Sequence, residues 1–138
     1  MLPKLIAGNA HSDTRGNLLY NNIFDASLIK RIYIIENRDA KFVRGWQGHQ
    51  KEKRWFSAIT GSFKIQLLQI DNWEQPSKNL EAHTFLLEAD KLNVLYVPNG
   101  YITSIQSLQN DSKLLVMADH LLGEINDEFR FDINYFKI

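Results

Sequence analysis

The chain has no cysteine. Disulfides, thiolate nucleophiles and cysteine-ligated zinc are therefore excluded, and the core must be held by packing alone. It also lacks an excess of either charge, with 16 Lys+Arg against 16 Asp+Glu. A general nucleic-acid binder needs a basic surplus to neutralise phosphates, so no nucleic-acid partner is expected, although local basic clusters can still hold one small anion. No apolar run approaches the ~18 residues that span a bilayer. Met1-Leu2-Pro3-Lys4-Leu5-Ile6 is too short for the apolar region of a signal peptide. No membrane partner is expected, and the absence of cysteine suits the cytoplasm. Linkers, low-complexity segments and repeats are absent as well. Helix signals are weak throughout, and Ala26-Ser27-Leu28-Ile29 supports at most a turn.

What remains is the pattern of a small β domain. At 138 residues one domain, 1–138, is expected; a chain of this size buries roughly 68% of its unfolded surface. Ile32-Tyr33-Ile34-Ile35 is β-branched and aromatic, which favours a strand. Trp55 to Ile59 leads into a turn at Thr60-Gly61-Ser62, and Phe63 to Leu68 then alternates apolar with polar, so the two segments read as a hairpin closed by Gly61. Further strands are expected at 84–87, 93–97, 101–108 and 113–118, with loops at 72–78 and 98–100 where Pro76 and Pro98 break the chain. Many short strands at this spacing suggest a sandwich or barrel. The eight Phe, five Tyr and three Trp are mostly core filling in such a fold.

The densest segment is Arg44-Gly45-Trp46-Gln47-Gly48-His49, continued by Lys51-Glu52-Lys53-Arg54 and, after six further residues, Gly61. It resembles the first motif of a cupin barrel, in which two His separated by one residue point inward and a Gly closes the next turn. Other segments extend the likeness: Asp13-Thr14-Arg15-Gly16, Lys30-Arg31-Ile32-Tyr33-Ile34-Ile35, Val97-Pro98-Asn99-Gly100-Tyr101, and the closing Asp127-Glu128-Phe129-Arg130-Phe131 with Tyr135-Phe136. Together, from Asp13 to Phe136, they resemble the cupin-fold sugar-nucleotide enzymes. These comprise the dTDP-4-dehydrorhamnose 3,5-epimerases and the dTDP-4-keto-6-deoxyglucose 3,4-ketoisomerases with their WxcM-like relatives. The resemblance implies an all-β cupin, a double-stranded β-helix or jelly-roll barrel. It also implies a homodimer, with residues before about Asp25 crossing over.

The family chemistry acts on a 4-keto sugar linked to a nucleoside diphosphate. A base removes a proton beside the ketone, an enolate forms, and a proton returns elsewhere. That requires a base with a pKa near 7, donors facing the enolate oxygen and arginines for the diphosphate. In the resemblance the principal catalytic His falls on Gln47, whose amide is no base at neutral pH. His49 remains, and because side chains two apart on a strand share a face, it points where Gln47 points. His49 is thus the candidate base, and Gln47 a hydrogen-bonding partner of the substrate. Tyr101 near the barrel mouth and Tyr33 are candidate proton donors. Arg44 is expected to line the cavity, and Arg15 and Arg31 to meet the diphosphate. Asp119, after the strand Leu114 to Ala118, is a candidate to orient His49. His11 and His83 read as exposed.

Many cupins bind a metal through two His and a Glu of the first motif and a third His of the second. Those positions are Gln47, His49, Arg54 and Thr103 here. One ligand is too few for a first-row metal, so no metal and no cofactor is expected. The leading reading is a metal-independent epimerase or ketoisomerase of a dTDP-linked 4-keto-6-deoxy sugar in surface-glycan biosynthesis. The alternative is a sugar-nucleotide-binding cupin impaired in catalysis by Gln47; a cupin for an unrelated small molecule stands third.

Overall fold

The computed structural model describes residues 1–138, and the chain is all-β. Twelve strands follow in order: β1 (Lys4–Ile6), β2 (Asn9–Asp13), β3 (Gly16–Tyr20), β4 (Arg31–Ile35), β5 (Val43–His49), β6 (Arg54–Thr60), β7 (Ser62–Gln69), β8 (Ala82–Glu88), β9 (Val94–Val97), β10 (Tyr101–Ser107), β11 (Lys113–Ala118) and β12 (Glu128–Arg130). They form a sheet in the order β1-β9-β6-β11-β4, a second in the order β12-β5-β10-β7-β8, and a separate hairpin β2-β3. All pairings are antiparallel.

The period-2 alternation of the strands decides what lies between the two large sheets. Phe56, Ala58, Leu95, Val97, Leu114 and Val116 from the first sheet meet Phe63, Ile65, Leu67, Leu87, Tyr101 and Ile105 from the second in one buried cluster. Each large side chain in it contributes about 1.5–3 kcal/mol by leaving water. The outer faces are covered too. Phe24 and Ile29 lie over Trp55, Val94, Tyr96 and Met117 on one sheet. The C-terminal segment packs Phe131, Tyr135 and Phe136 over Trp46, Leu68, Ile70 and Ile102 on the other.

The apolar filling is concentrated toward β7, β8 and β9. At the opposite side, the edge strand β4 of one sheet faces β5 and the edge strand β12 of the other, and the inward residues there become polar and charged. This change of composition, not a break in the sheets, opens the cavity described below.

Hairpin β2-β3 was not foreseen. All five residues of β2 are exposed, so Asn9–Asp13 carries no apolar alternation by which to read it. The 55–59 and 63–68 segments do form the expected hairpin, β6-β7. At its turn Gly61 has φ 69°, and a Cβ there would collide with the Ser112 side chain. Gly61→Ala is therefore expected to destabilise the protein by about 1–3 kcal/mol, visible as a lowered midpoint in thermal or urea unfolding; an unchanged midpoint would contradict this account of the turn.

Candidate functional site

His49 is the last residue of β5 and faces inward, with Tyr101 on β10 and Glu128 on β12 as its direct cross-strand neighbours. Gln47, two residues earlier, pairs with Thr103 and Arg130. Arg44 lies three before Gln47, which in a regular strand would turn it to the other face. The β5-β10 register shifts between Thr103 and Ile105, and this irregularity returns Arg44 to the inner side. The strand runs so close to β10 that a Cβ at Gly48 would strike the Tyr101 carbonyl, which confines that position to glycine.

Arg44, Gln47, His49, Thr103, Glu128 and Arg130 line a cavity of about 590 Å³ between the sheets, together with Arg31 and Tyr33 from β4 and Arg54 from β6. The volume is that of a small-molecule site. Its charge is dominated by four arginines, Arg31, Arg44, Arg54 and Arg130, set against Glu36 and Glu128.

The imidazole of His49 is held between two buried carboxylates. Its Nδ1 is 3.0 Å from Asp127 Oδ1. An ionised carboxylate only accepts, so Nδ1 carries the hydrogen and donates it. On the other side, Nε2 stands at ion-pair distance, 3.3 Å, from Glu52 Oε2. Asp127 also accepts from the backbone N–H groups of Lys51 and Glu52. Burial alone would raise the Asp127 pKa, but the bonds from His49 and from these two amides outweigh it and hold the carboxyl below its ordinary range. A carboxylate on Nδ1 sets the tautomer and aims Nε2, the arrangement a histidine base requires.

Asp119, the residue expected to orient His49, does not do so. It accepts from the Lys53 N–H and pairs with His120, and the orienting carboxylate is Asp127. The reason is directional: Asp119 continues a strand of the opposite sheet, whereas Asp127 leads into β12, which lies alongside His49 itself. His83 also departs from expectation. It is half-buried, and its ring meets Tyr101 edge-on at 6.2 Å, because it shares the inward parity of Phe85 and Leu87 on β8.

The remaining candidates are distributed unevenly. Gln47 donates its amide to Glu128 Oε1 at 2.5 Å, and Arg130 grips the same carboxylate at 2.9 Å through Nε. Arg44 donates to Asn37. The Arg31 guanidinium lies over the Tyr33 ring, 4.5 Å from its centroid. Tyr101 is fully buried, not at the mouth; its hydroxyl has no partner in the chain, and burial pushes its pKa up. Arg15 lies outside this cavity, on hairpin β2-β3, paired with Asp13 at 2.7 Å. Sequence reasoning missed Glu52, Arg54, Asp127, Glu128 and Arg130 as site residues. The closing segment 127–130 was visible only as part of a resemblance, because nothing in its own composition says that it returns to the edge of β5.

Because the folded-state pKa of Asp127 is depressed, its contribution to stability is present in full above the ordinary aspartate value of about 3.9 and is lost as pH falls through the lower folded value. Asp127→Asn should therefore lower stability near neutral pH and flatten the acid limb of a stability-versus-pH curve below about pH 4. An acid limb as steep as that of the parent protein would show that the carboxylate is not paired as described.

Comparisons with known proteins identify the family and the fold. The family model described as FdtA, WxcM-like, C-terminal, matches residues 2–137. The fold is shared with a histidine-to-asparagine mutant of the 3,4-ketoisomerase QdtA from Thermoanaerobacterium thermosaccharolyticum, solved with TDP-4-keto-6-deoxyglucose. The two are 27% identical with a TM-score of 0.72, over 98% of this chain and 93% of that one. A 3,4-ketoisomerase from Helicobacter canadensis is 23% identical with a TM-score of 0.72, over 95% and 92% of the two chains. A dTDP-4-dehydrorhamnose 3,5-epimerase from Bacillus anthracis, solved with TDP and PPi, shares 13% identity and a TM-score of 0.76, over 96% and 79%. No curated protein sequence matches the chain. No helix is long and apolar enough to cross a membrane. With the match spanning nearly its whole length, the chain belongs to the FdtA, WxcM-like C-terminal family of RmlC-like cupins.

Proposed function

We propose that the protein is a metal-independent isomerase of a dTDP-linked 4-keto-6-deoxy sugar, a 3,4-ketoisomerase or 3,5-epimerase, acting by enolisation in surface-glycan biosynthesis. The single observation that carries this reading is the His49–Asp127 pair in a cavity edged by four arginines. With Nδ1 committed to Asp127, Nε2 is the nitrogen that takes the proton beside the ketone, on leaving its 3.3 Å contact with Glu52 Oε2. Tyr33 is the better-placed donor for its return, since it lines the cavity with the Arg31 guanidinium over its ring. Tyr101, buried in the core against the His83 ring, supports the second sheet. Arg31 and Arg44 meet the diphosphate, and Gln47 a sugar oxygen. Metal independence is supported by residue chemistry: Arg54 stands where a metal-binding cupin places a carboxylate, and Gln47 and Thr103 where it places histidines.

The reading extends to a homodimer. Ile32 and Ile34 are 66% and 51% exposed on the outer face of edge strand β4, and Leu18 on the hairpin is 60% exposed. A second copy would cover this apolar area and bring Arg15, free of its own cavity, toward the partner's site.

A second reading has an observation of its own. Gln47 replaces a histidine and its amide is already engaged by Glu128, which favours a sugar-nucleotide-binding protein without turnover.

Deuterium incorporation from D2O into dTDP-4-keto-6-deoxyglucose, followed by NMR, separates the two. Exchange at C3 or C5 is expected. It should persist in EDTA and fall about 10²–10⁴-fold in His49→Asn. Saturable binding without exchange would overturn the isomerase in favour of the binding protein, and exchange gained on Gln47→His would then show that the other groups are in place. For the dimer, sedimentation should give twice the chain mass, shifting to one chain in Ile34→Lys; a parent protein sedimenting as one chain would refute it.

A further inference from the structure

Arg54 is the cavity arginine that the residues around it leave unanswered. It is 4% exposed, the one arginine among the buried residues. Its Nη2 has no hydrogen-bond partner in the chain, and it takes part in no ion pair. Its guanidinium lies over the ring of Phe56, 5.2 Å from Cζ to centroid. Arg31 likewise has no ion pair, but it is only half-buried, over the Tyr33 ring; the other two cavity arginines differ. Arg130 is bonded to Glu128 and Arg44 to Asn37, and both are exposed. A buried guanidinium without a partner is costly unless an anion completes it, and this one faces the cavity that His49 also lines.

The register of the first sheet explains how it is held. Arg54, Ala118 and Arg31 are successive cross-strand partners on β6, β11 and β4. One step along, Phe56, Val116 and Tyr33 form the next row. Each arginine therefore lies over the aromatic ring two residues ahead on its own strand. The methyl of Ala118 between them leaves the space above the row free. Strands spaced ~4.8 Å apart put the two arginine Cα atoms about 10 Å from one another.

We propose that Arg54 is a catalytic residue of the enolisation, its Nη2 donating to the sugar oxygen on which negative charge develops. This rests on the isomerase reading. When the His49 imidazole takes the proton, the C–H pair becomes the new C=C bond and the carbonyl π pair moves to the oxygen. The guanidinium neither gains nor loses a proton, being charged at all relevant pH, and returns unchanged when the carbon is reprotonated. Burial assigns the work. A permanent diphosphate charge is well served by Arg31 and Arg44, which reach water. A charge that appears only during the reaction is best met by a fixed donor in a dry site, where no solvent need reorganise.

The test compares Arg54→Met, Arg54→Gln and Arg54→Lys with the parent protein, measuring deuterium exchange into dTDP-4-keto-6-deoxyglucose and, separately, the dissociation constant for dTDP. Retained dTDP binding also reports folding, and the Gln and Lys variants carry the comparison if Met fails to fold. The expected result is exchange slowed about 100-fold or more in the neutral variants, part of it restored by Lys, with dTDP affinity within about three-fold of the parent. Parent-like exchange in a folded neutral variant overturns the proposal and leaves the isomerase standing. So does a loss that merely follows weakened dTDP affinity, which would make Arg54 a diphosphate anchor. A parent protein that exchanges nothing removes the enolate, and with it both the reading and this role.

Discussion

The carboxylate of Asp127 is the constraint on which the site depends. It receives His49 Nδ1 and two consecutive backbone N–H groups from the turn after β5. One buried group thereby orients the imidazole, closes the chain that leads from β5 toward Arg54, and docks the C-terminal segment as a strand on the edge of the second sheet. Charge-assisted bonds of this kind are about twice as strong as neutral ones, and three on one carboxylate account for its lowered pKa. The aromatic packing of Phe136 against Trp46, and of Phe131 against Phe136, holds the same segment from the outside, so apolar burial and the polar bonds act together.

Around that anchor the cavity is a balance of satisfied and unsatisfied charge. Glu128 is shared by Gln47 and Arg130, and Arg44 rests on Asn37. These contacts spend the polar capacity of the exposed rim and give it a defined shape. The deeper wall is built differently: Arg31 and Arg54 lie on aromatic rings, not on acids. Stacking positions a guanidinium without neutralising it, so the positive potential stays available to a ligand. Glu52 stands at ion-pair distance from His49 Nε2, so the imidazole has a carboxylate on each side.

Much of the fold could be read from one dimension. The alternation in Phe63 to Leu68, the β-branched run at Ile32 to Ile35 and the glycine at position 61 each express a local rule: parity on a pleated strand, or a backbone angle that other residues resist. The exposed hairpin β2-β3 escaped because a strand with no buried face has no apolar period. His83 was misread for a related reason: its polar sequence neighbours hide that it shares the inward parity of Phe85 and Leu87.

By itself, then, the sequence determined the all-β class and the shared face of Gln47 and His49, since these follow from residue type and spacing along a single strand. Only the tertiary structure decided that Asp127, not Asp119, orients His49, that Arg44 returns to the inner face through an irregular register, and that Arg54 is buried without a partner. Each of these depends on which strand edge meets which, and that is settled by burial over the whole barrel and not by any local segment of the chain.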